Sequence, residues 1–176
     1  MTAPMPLVPV GFGINPTALT GYHELVPYAG QTILVVGCGR THAHSITNYD
    51  HVHHTNLPIA AANAYTIDIS GAANPDRIAD FWVEDHTEDL PGHSFNLIFL
   101  ENLPAGVFAN AGRCAGLART AHRLLVPGGV LIVRTAHALI AAGNPIHAAL
   151  VQVFGAANVI VALDQHNWAT HLRADR

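Results

Sequence analysis

The sequence predicts a mostly parallel α/β sheet with helices on both faces. Three observations carry that prediction. A continuous apolar run at Ile33–Val36, followed by largely apolar stretches at 65–69, Phe95–Leu100 and 130–135, is expected of strands covered on both sides. Helical patterns stand between the later runs, which is the alternation of βα units. A glycine-spaced turn, Gly37-Cys38-Gly39, closes the first run. In open α/β sheets, ligands sit outside the carboxyl ends of the strands.

The elements follow in order. Residues 1–30 are rich in Pro and Gly and read as an irregular cap, with one short helix over 16–25. The domain proper is residues 31–176, a single domain with its cap. After the first strand, residues 41–56 are polar and histidine-rich, with weak helical period. Pro58 opens a short Ala-rich helical turn over 59–64, Pro being tolerated early in a helix. The second strand, 65–69, carries Asp68 near its end. Asn74-Pro75-Asp76 marks a turn, and 77–81 is long enough for a brief strand only. Residues 84–93 form an acidic loop before the strand Phe95–Leu100. Over 110–125, Leu117, Ala118, Ala121, Leu124 and Leu125 share one helical face. Pro127-Gly128-Gly129 stops that helix, and 130–135 is the next strand. Pro145–Phe154 is again helical, with Ile146, Leu150, Val153 and Phe154 inward. Val159–Leu163 and 168–172 close the domain as an antiparallel pair.

Composition narrows the function classes. In 176 residues, half are hydrophobic and 11% are charged, which describes a packed domain and not a disordered chain. A net charge of −4 argues against binding nucleic acid through charge. No stretch reaches the roughly 18 apolar residues of a membrane span. Residues 1–10 have no basic residue ahead of their apolar stretch, so they do not read as a secretory signal. Cys38 and Cys114 are isolated thiols, and a cytoplasmic location is the expectation.

Three features fall in the order of one nucleoside-type site. A glycine turn ends the first strand. Asp68 ends the second, where a carboxylate accepts hydrogen bonds from ribose hydroxyls. A loop acid, Asp80 or Asp85, follows the brief third segment, where it can hold an adenine amine. With these residues in view, the chain resembles the class I S-adenosylmethionine-dependent methyltransferases. The matching stretches are Ile-Leu-Val-Val-Gly-Cys-Gly (33–39), Thr-Ile-Asp-Ile (66–69) and Pro-Asp-Arg-Ile-Ala-Asp (75–80). Glu-Asp-Leu-Pro-Gly-His-Ser-Phe-Asn-Leu-Ile (88–98) and Ala-His-Arg-Leu-Leu-Val-Pro-Gly-Gly-Val-Leu-Ile-Val (121–133) extend the match, the last being the most specific.

The resemblance implies a Rossmann-like fold, with a seven-stranded sheet whose last strand is antiparallel. It implies S-adenosylmethionine as cofactor, held by Gly37, Cys38 and Gly39 under the methionine part and ribose. Asp68 would hold the ribose, and Asp80 or its rival Asp85 the adenine. Glu101 and Asn102, just past Phe95–Leu100, would face the methyl-transfer site. Two positions depart from the family's pattern: Val35 stands where an acid is usual, and Thr41 stands at the third glycine. These departures favour an alternative, a non-catalytic methyltransferase-like subunit that binds a partner or a ligand.

Methyl transfer needs a general base only where the acceptor is protonated at working pH. Glu101, His137 and His23 are the candidates. Glu101-Asn102-Leu103-Pro104 lacks the Asn-Pro-Pro-Tyr signature of enzymes that methylate exocyclic amines of bases. With the acidic balance, that points to a small-molecule oxygen or nitrogen acceptor. The short chain leaves the acceptor to be met at a homodimer interface or by a partner protein. His42, His44, His51, His53 and His54 crowd into thirteen residues. Neutral imidazole is a good zinc ligand, so a metal-binding module is a third reading. A closed site wants about four ligands, and only Asp50 joins the histidines nearby, so a polar surface loop without metal is preferred.

Overall fold

The computed structural model describes residues 21–37, 64–100, 103, 105–136, 144–163 and 169–176. Eight strands form one sheet: β1 (His23–Glu24), β2 (Ile33–Val36), β3 (Ala64–Asp68), β4 (Arg77–Ile78), β5 (Phe95–Leu100), β6 (Leu125–Ala136), β7 (Val159–Leu163) and β8 (Ala169–Asp175). Their order is β1-β4-β3-β2-β5-β6-β8-β7. Strands β4, β3, β2, β5 and β6 are parallel neighbours. β8 runs antiparallel to both β6 and β7.

The count corrects the expected seven. The additional strand is β1, which pairs antiparallel with β4 through His23↔Ile78 and Glu24↔Arg77. It falls within the stretch expected to be a short helix. Two residues are too few to show a period, and contacts remote in sequence decide their conformation. Leu25 and Val26 both donate their backbone N–H to the Asp76 carbonyl, at 2.8 and 2.9 Å.

Helix α1 (Ala111–Leu124) begins where the Asn110 side chain accepts the N–H of Arg113, an N-cap that satisfies one otherwise unpaired donor. Helix α2 (Pro145–Phe154) begins the same way at Asn144, with Pro145 in its first turn. The two pack on each other and on one face of the sheet. There Leu34, Val36, Tyr65, Ile67, Ile98, Leu100, Leu131 and Val133 meet Leu117, Ala121, Leu150 and Phe154. The opposite face is also buried, at Ile33, Val35, Ala64, Leu97, Phe99 and Ile132. This two-sided burial explains why the central strands read as dominantly apolar with little alternation. Of the expected segments, 41–56 and 59–63 lie outside the described residues; Ala64, expected to end the helical turn, instead opens β3, where it pairs with Ile33.

Strand β6 starts five residues earlier than its apolar run suggests. Pro127-Gly128-Gly129 does not separate helix from strand; it lies within β6, where the register against β5 slips between Phe95 and Leu97. Gly128 has φ +81°, a conformation suited to glycine and common at bulges. Among the described residues, no helix is long and apolar enough to cross a membrane.

Candidate functional site

The sheet order sets the place of the site. From β2, the chain adds β3 and β4 on one side and β5 and β6 on the other. Strand order therefore reverses at β2, the place where open α/β sheets take their ligands. Gly37 stands at that point with φ +74°, and its N–H donates to the Ile67 carbonyl at 2.8 Å. Because Val36 is in register with Ile67, Gly37 lies alongside Asp68.

Asp68 is half-buried at the end of β3. One of its carboxylate oxygens accepts the N–H of Ser70 at 2.8 Å, which fixes the side chain in a turn of its own. Ile69, the next residue, is 38% exposed. An apolar side chain open beside an oriented carboxylate offers a surface for a ring and acceptors for a diol. Sequence reasoning singled out Asp68 but passed over Ile69, since an exposed isoleucine looks like any other strand residue until its exposure is known.

The loop after β4 is built from directional bonds. Asp80 is buried, and its two carboxylate oxygens accept from Arg113 Nη2 at 3.1 and 3.0 Å. The N–H of Trp82 adds a third bond at 3.1 Å. The Asp80 N–H donates to His86 Nδ1 at 3.0 Å. His86 is buried, and burial lowers its pKa, against the opposing pull of Asp80 and Asp85. The ring therefore favours the neutral form with Nδ1 as acceptor. Arg113 was not among the sequence-derived candidates; it lies 33 residues from Asp80, and nothing local announces the pairing. Asp85, the rival of Asp80, is exposed on the short 3-10 turn Glu84–Thr87.

A second network fastens the segment before β2. Arg77 is fully buried and forks onto Asp89 with Nη1–Oδ1 at 2.7 Å and Nη2–Oδ2 at 2.6 Å. Its Nη1 also donates to the His86 carbonyl, and Nη2 reaches Glu24 Oε1 at 3.4 Å. The Tyr22 ring lies 4.3 Å from its guanidinium carbon. Burial opposes the Arg77 charge, and the hydrogen bonds with Asp89 and Tyr65 outweigh it, so its pKa rises. Those bonds to Arg77 hold the Asp89 carboxyl below its ordinary range. The Tyr65 hydroxyl, pushed up to about 12 chiefly by burial, donates to the Val26 carbonyl at 3.0 Å.

The remaining candidates separate. His23 lies on β1, level with Asp68 through the register His23↔Ile78 and Ile78↔Asp68. At about 4.8 Å per strand, β1 is roughly 19 Å from β5, four places away. Cys38, Gly39, Thr41, Glu101, Asn102, His137 and the histidines of 42–54 lie outside the described residues. Val35, where the family's acid is expected, is buried among Ile33, Leu97, Phe99 and other apolar side chains. Cys114 is buried in α1, and burial raises its thiol to about 11.

Comparison with known proteins bears on this arrangement. No family model matches the chain, and no curated protein matches it. Solved structures do. The trans-methyltransferase CalH, in complex with SAH, aligns over 83% of this chain and 51% of its own, with TM-score 0.53 and 14% identity. A predicted O-methyltransferase, Atu636 from Agrobacterium tumefaciens, aligns over 86% of this chain and 76% of its own, with TM-score 0.53 and 19% identity. The sugar N-methyltransferase KedS8 from Streptoalloteichus sp. aligns over 82% and 79%, with TM-score 0.51 and 16% identity.

The chain has the class I methyltransferase fold. Set against that fold, β2 is the first strand of the sheet, and β1 is an addition outside the seven. The methyltransferase sheet covers most of this chain, which spans about half the length of CalH.

Proposed function

We propose that this protein binds S-adenosylmethionine and methylates an oxygen or nitrogen of a small molecule, acting in the cytoplasm. One observation carries the reading: Gly37, with positive φ, stands beside the oriented carboxylate of Asp68 at the point where strand order reverses. The residues there suit the cofactor. Gly37 has no Cβ to obstruct a close approach, Asp68 offers acceptors to a ribose diol, and Ile69 offers apolar surface to a purine. When bound, S-adenosylmethionine supplies a methyl group on a cationic sulfur, open to in-line displacement.

The chain's own part is positioning, which is worth much in such a reaction. Asp68 orients the ribose. The adenine amine is met by Asp80 beside the Arg113 guanidinium, or by Asp85. Gly37, with Cys38 and Gly39 after it in the sequence, is assigned to the methionine part and ribose. Where the acceptor must lose a proton, Glu101 or His137 takes it; His23, four strands from β5, is set aside.

Calorimetry with S-adenosylhomocysteine tests the cofactor site. Replacing Asp68 by Ala is expected to weaken binding by about 1–3 kcal/mol, the cost of lost hydrogen bonds to a buried polar ligand. Unchanged affinity would place the ribose elsewhere.

A non-catalytic methyltransferase-like subunit is the second reading. Two observations favour it: Val35 is wholly buried in an apolar cluster, and the Asp80 carboxylate is already paired with Arg113. A folded protein giving no heat with S-adenosylhomocysteine at about 1 mM, a ligand weaker than roughly 4 kcal/mol, would decide for it.

A further inference from the structure

Strand β7 ends the sheet. Its inner edge pairs with β8 from Val159↔Ala174 to Leu163↔Thr170. Among the described residues no strand pairs with its outer edge, whose alternate backbone N–H and C=O groups are a template for another strand. Natural edge strands are protected by brevity, charge, proline or a bulge. β7 has five residues, Val-Ile-Val-Ala-Leu, with no charge and no proline, and its pairing with β8 runs without a register slip. Ile160 is 50% exposed and Val161 41%. As neighbours on a strand they point to opposite faces, so apolar surface is open on both. At the other end of the sheet, β1 is two residues long and carries Glu24.

The neutrality extends well beyond the strand. No Asp, Glu, Lys or Arg stands between Arg134 and Asp164. That stretch includes α2, which packs beside β7 and β8. Ala148 and Gln152 of α2 are exposed, as are Gly155, Ala156, Ala157 and Asn158 at the turn into β7. Among the described residues, one flank is thus an open strand edge bordered by an uncharged helix and turn.

We propose that this flank is the interface of a homodimer, with β7 pairing antiparallel to β7 of a second copy and the two sheets joined into one. The self-match is what selects a second copy as the occupant. A two-fold axis at the middle residue sets Val161 against Val161, Ile160 against Ala162 and Val159 against Leu163. Every pair is apolar, and no like charges meet. Charge depletion is the compositional mark of an interface core, and a two-fold contact requires one patch to complement itself. The strand pair alone falls short of the roughly 1,200–2,000 Å² that a stable interface buries. The exposed residues Ala148 and Gln152 of α2 and 155–158 of its turn are proposed to widen the contact.

Sedimentation equilibrium of the full chain over about 1–100 μM, the micromolar range of an interface of this class, is the test. The expected result is a species of twice 18.7 kDa. Ile160→Lys together with Val161→Lys is expected to weaken the dimer at least about 100-fold, since two charges would be desolvated in each half of the contact. Circular dichroism establishes that the variant is folded. Hydrogen exchange on the unmodified protein gives an independent readout: the amides of Val159–Leu163 should slow as concentration rises. A monomer throughout the range would overturn the proposal. So would a dimer that survives both lysines, or exchange at β7 that ignores concentration. A monomer that instead binds lipid vesicles or a strand-forming peptide at this edge would overturn it as well.

Discussion

The loop between β4 and β5 and the flank formed by α2 and β7 are held by different means. The first is crowded with charge: Asp76, Arg77, Asp80, Glu84, Asp85, Glu88 and Asp89 lie within it or at its start. It has little regular structure, so its geometry comes from directional bonds. Arg77 grips Asp89 and the His86 carbonyl, Arg113 grips Asp80, and Arg123 donates to the Thr87 and Leu90 carbonyls at 2.7 and 2.9 Å. The second region has no charged residue and is held by strand pairing and apolar packing against α1. The difference suits the two proposed tasks. A loop proposed to meet a ligand is set by polar networks that fix its groups, and a flank proposed to meet a second copy is without charge.

If the polar networks set the loop, removing their centre should do the greatest damage. Arg77→Ala takes away a fully buried fork and leaves two carboxylates behind. Breaking such a pair from the buried side costs about 3–5 kcal/mol. Here Asp89 and Glu24 keep 41% and 34% of their side-chain exposure, so water recovers part of the loss. About 2–3 kcal/mol is expected in urea unfolding. A loss near zero would mean that the loop is set by packing after all.

Gly116→Ala comes next. A Cβ on Gly116 would lie 2.4 Å from the Trp82 carbonyl oxygen, so α1 or the loop must shift. Overpacking of this kind costs about 1–3 kcal/mol, offset by roughly 1 kcal/mol of helix propensity. The net expectation is a loss of about 0–2 kcal/mol, read as a lower midpoint with the same slope. The loop and α1 meet face to face here, and the substitution measures how tightly.

These two residues mark the limit of what the chain revealed before its structure. Ile33–Val36 and Phe95–Leu100 match their strands residue for residue, because burial on both faces writes itself into the sequence as a dense apolar run, broken in the second by the exposed Asn96. Pro145–Phe154 matches its helix because Asn144, Pro145 and Gly155 punctuate it locally. β1 was illegible because two residues have no period. Pro127-Gly128-Gly129 misled because a bulge inside a strand uses the same residues as a stop between elements. Of the site, Gly37 and Asp68 were legible because each ends an apolar run. Arg113 on Asp80 and Arg77 on Glu24 span 33 and 53 residues, and no local pattern encodes such partners.

A smaller effect tests the loop through pH. His86 and His122 both have pKa values lowered in the folded protein, first by burial. For His122, the charges of Arg176 and His93 add to it. The unfolded chain then binds protons more readily than the folded one. Their contribution to stability is complete above the unfolded value of about 6.5 and is lost as pH falls through the folded values. Unfolding free energy should therefore rise from pH 5 to pH 7. His86→Asn keeps an acceptor for the Asp80 N–H without titrating, and it should flatten that rise in part. An unchanged slope would assign the whole effect to His122.

The smallest effect on the fold is expected on the neutral flank, and it completes the contrast. Ile160→Lys adds a charge to a side chain that is half exposed and partners no polar group through its own side chain. Surface changes of this kind fall within about 0.5 kcal/mol. Measured at a concentration where the protein is monomeric, the unfolding midpoint should hardly move. Measured where copies pair, the same substitution should lower the midpoint, because a dimer stabilises the native state by mass action and the unpaired variant loses that share. Taking one charge from the loop should thus harm the monomer at every concentration. Giving one charge to the flank should harm only what two monomers make together, and a midpoint that falls equally at all concentrations would show that β7 serves the fold rather than a second copy.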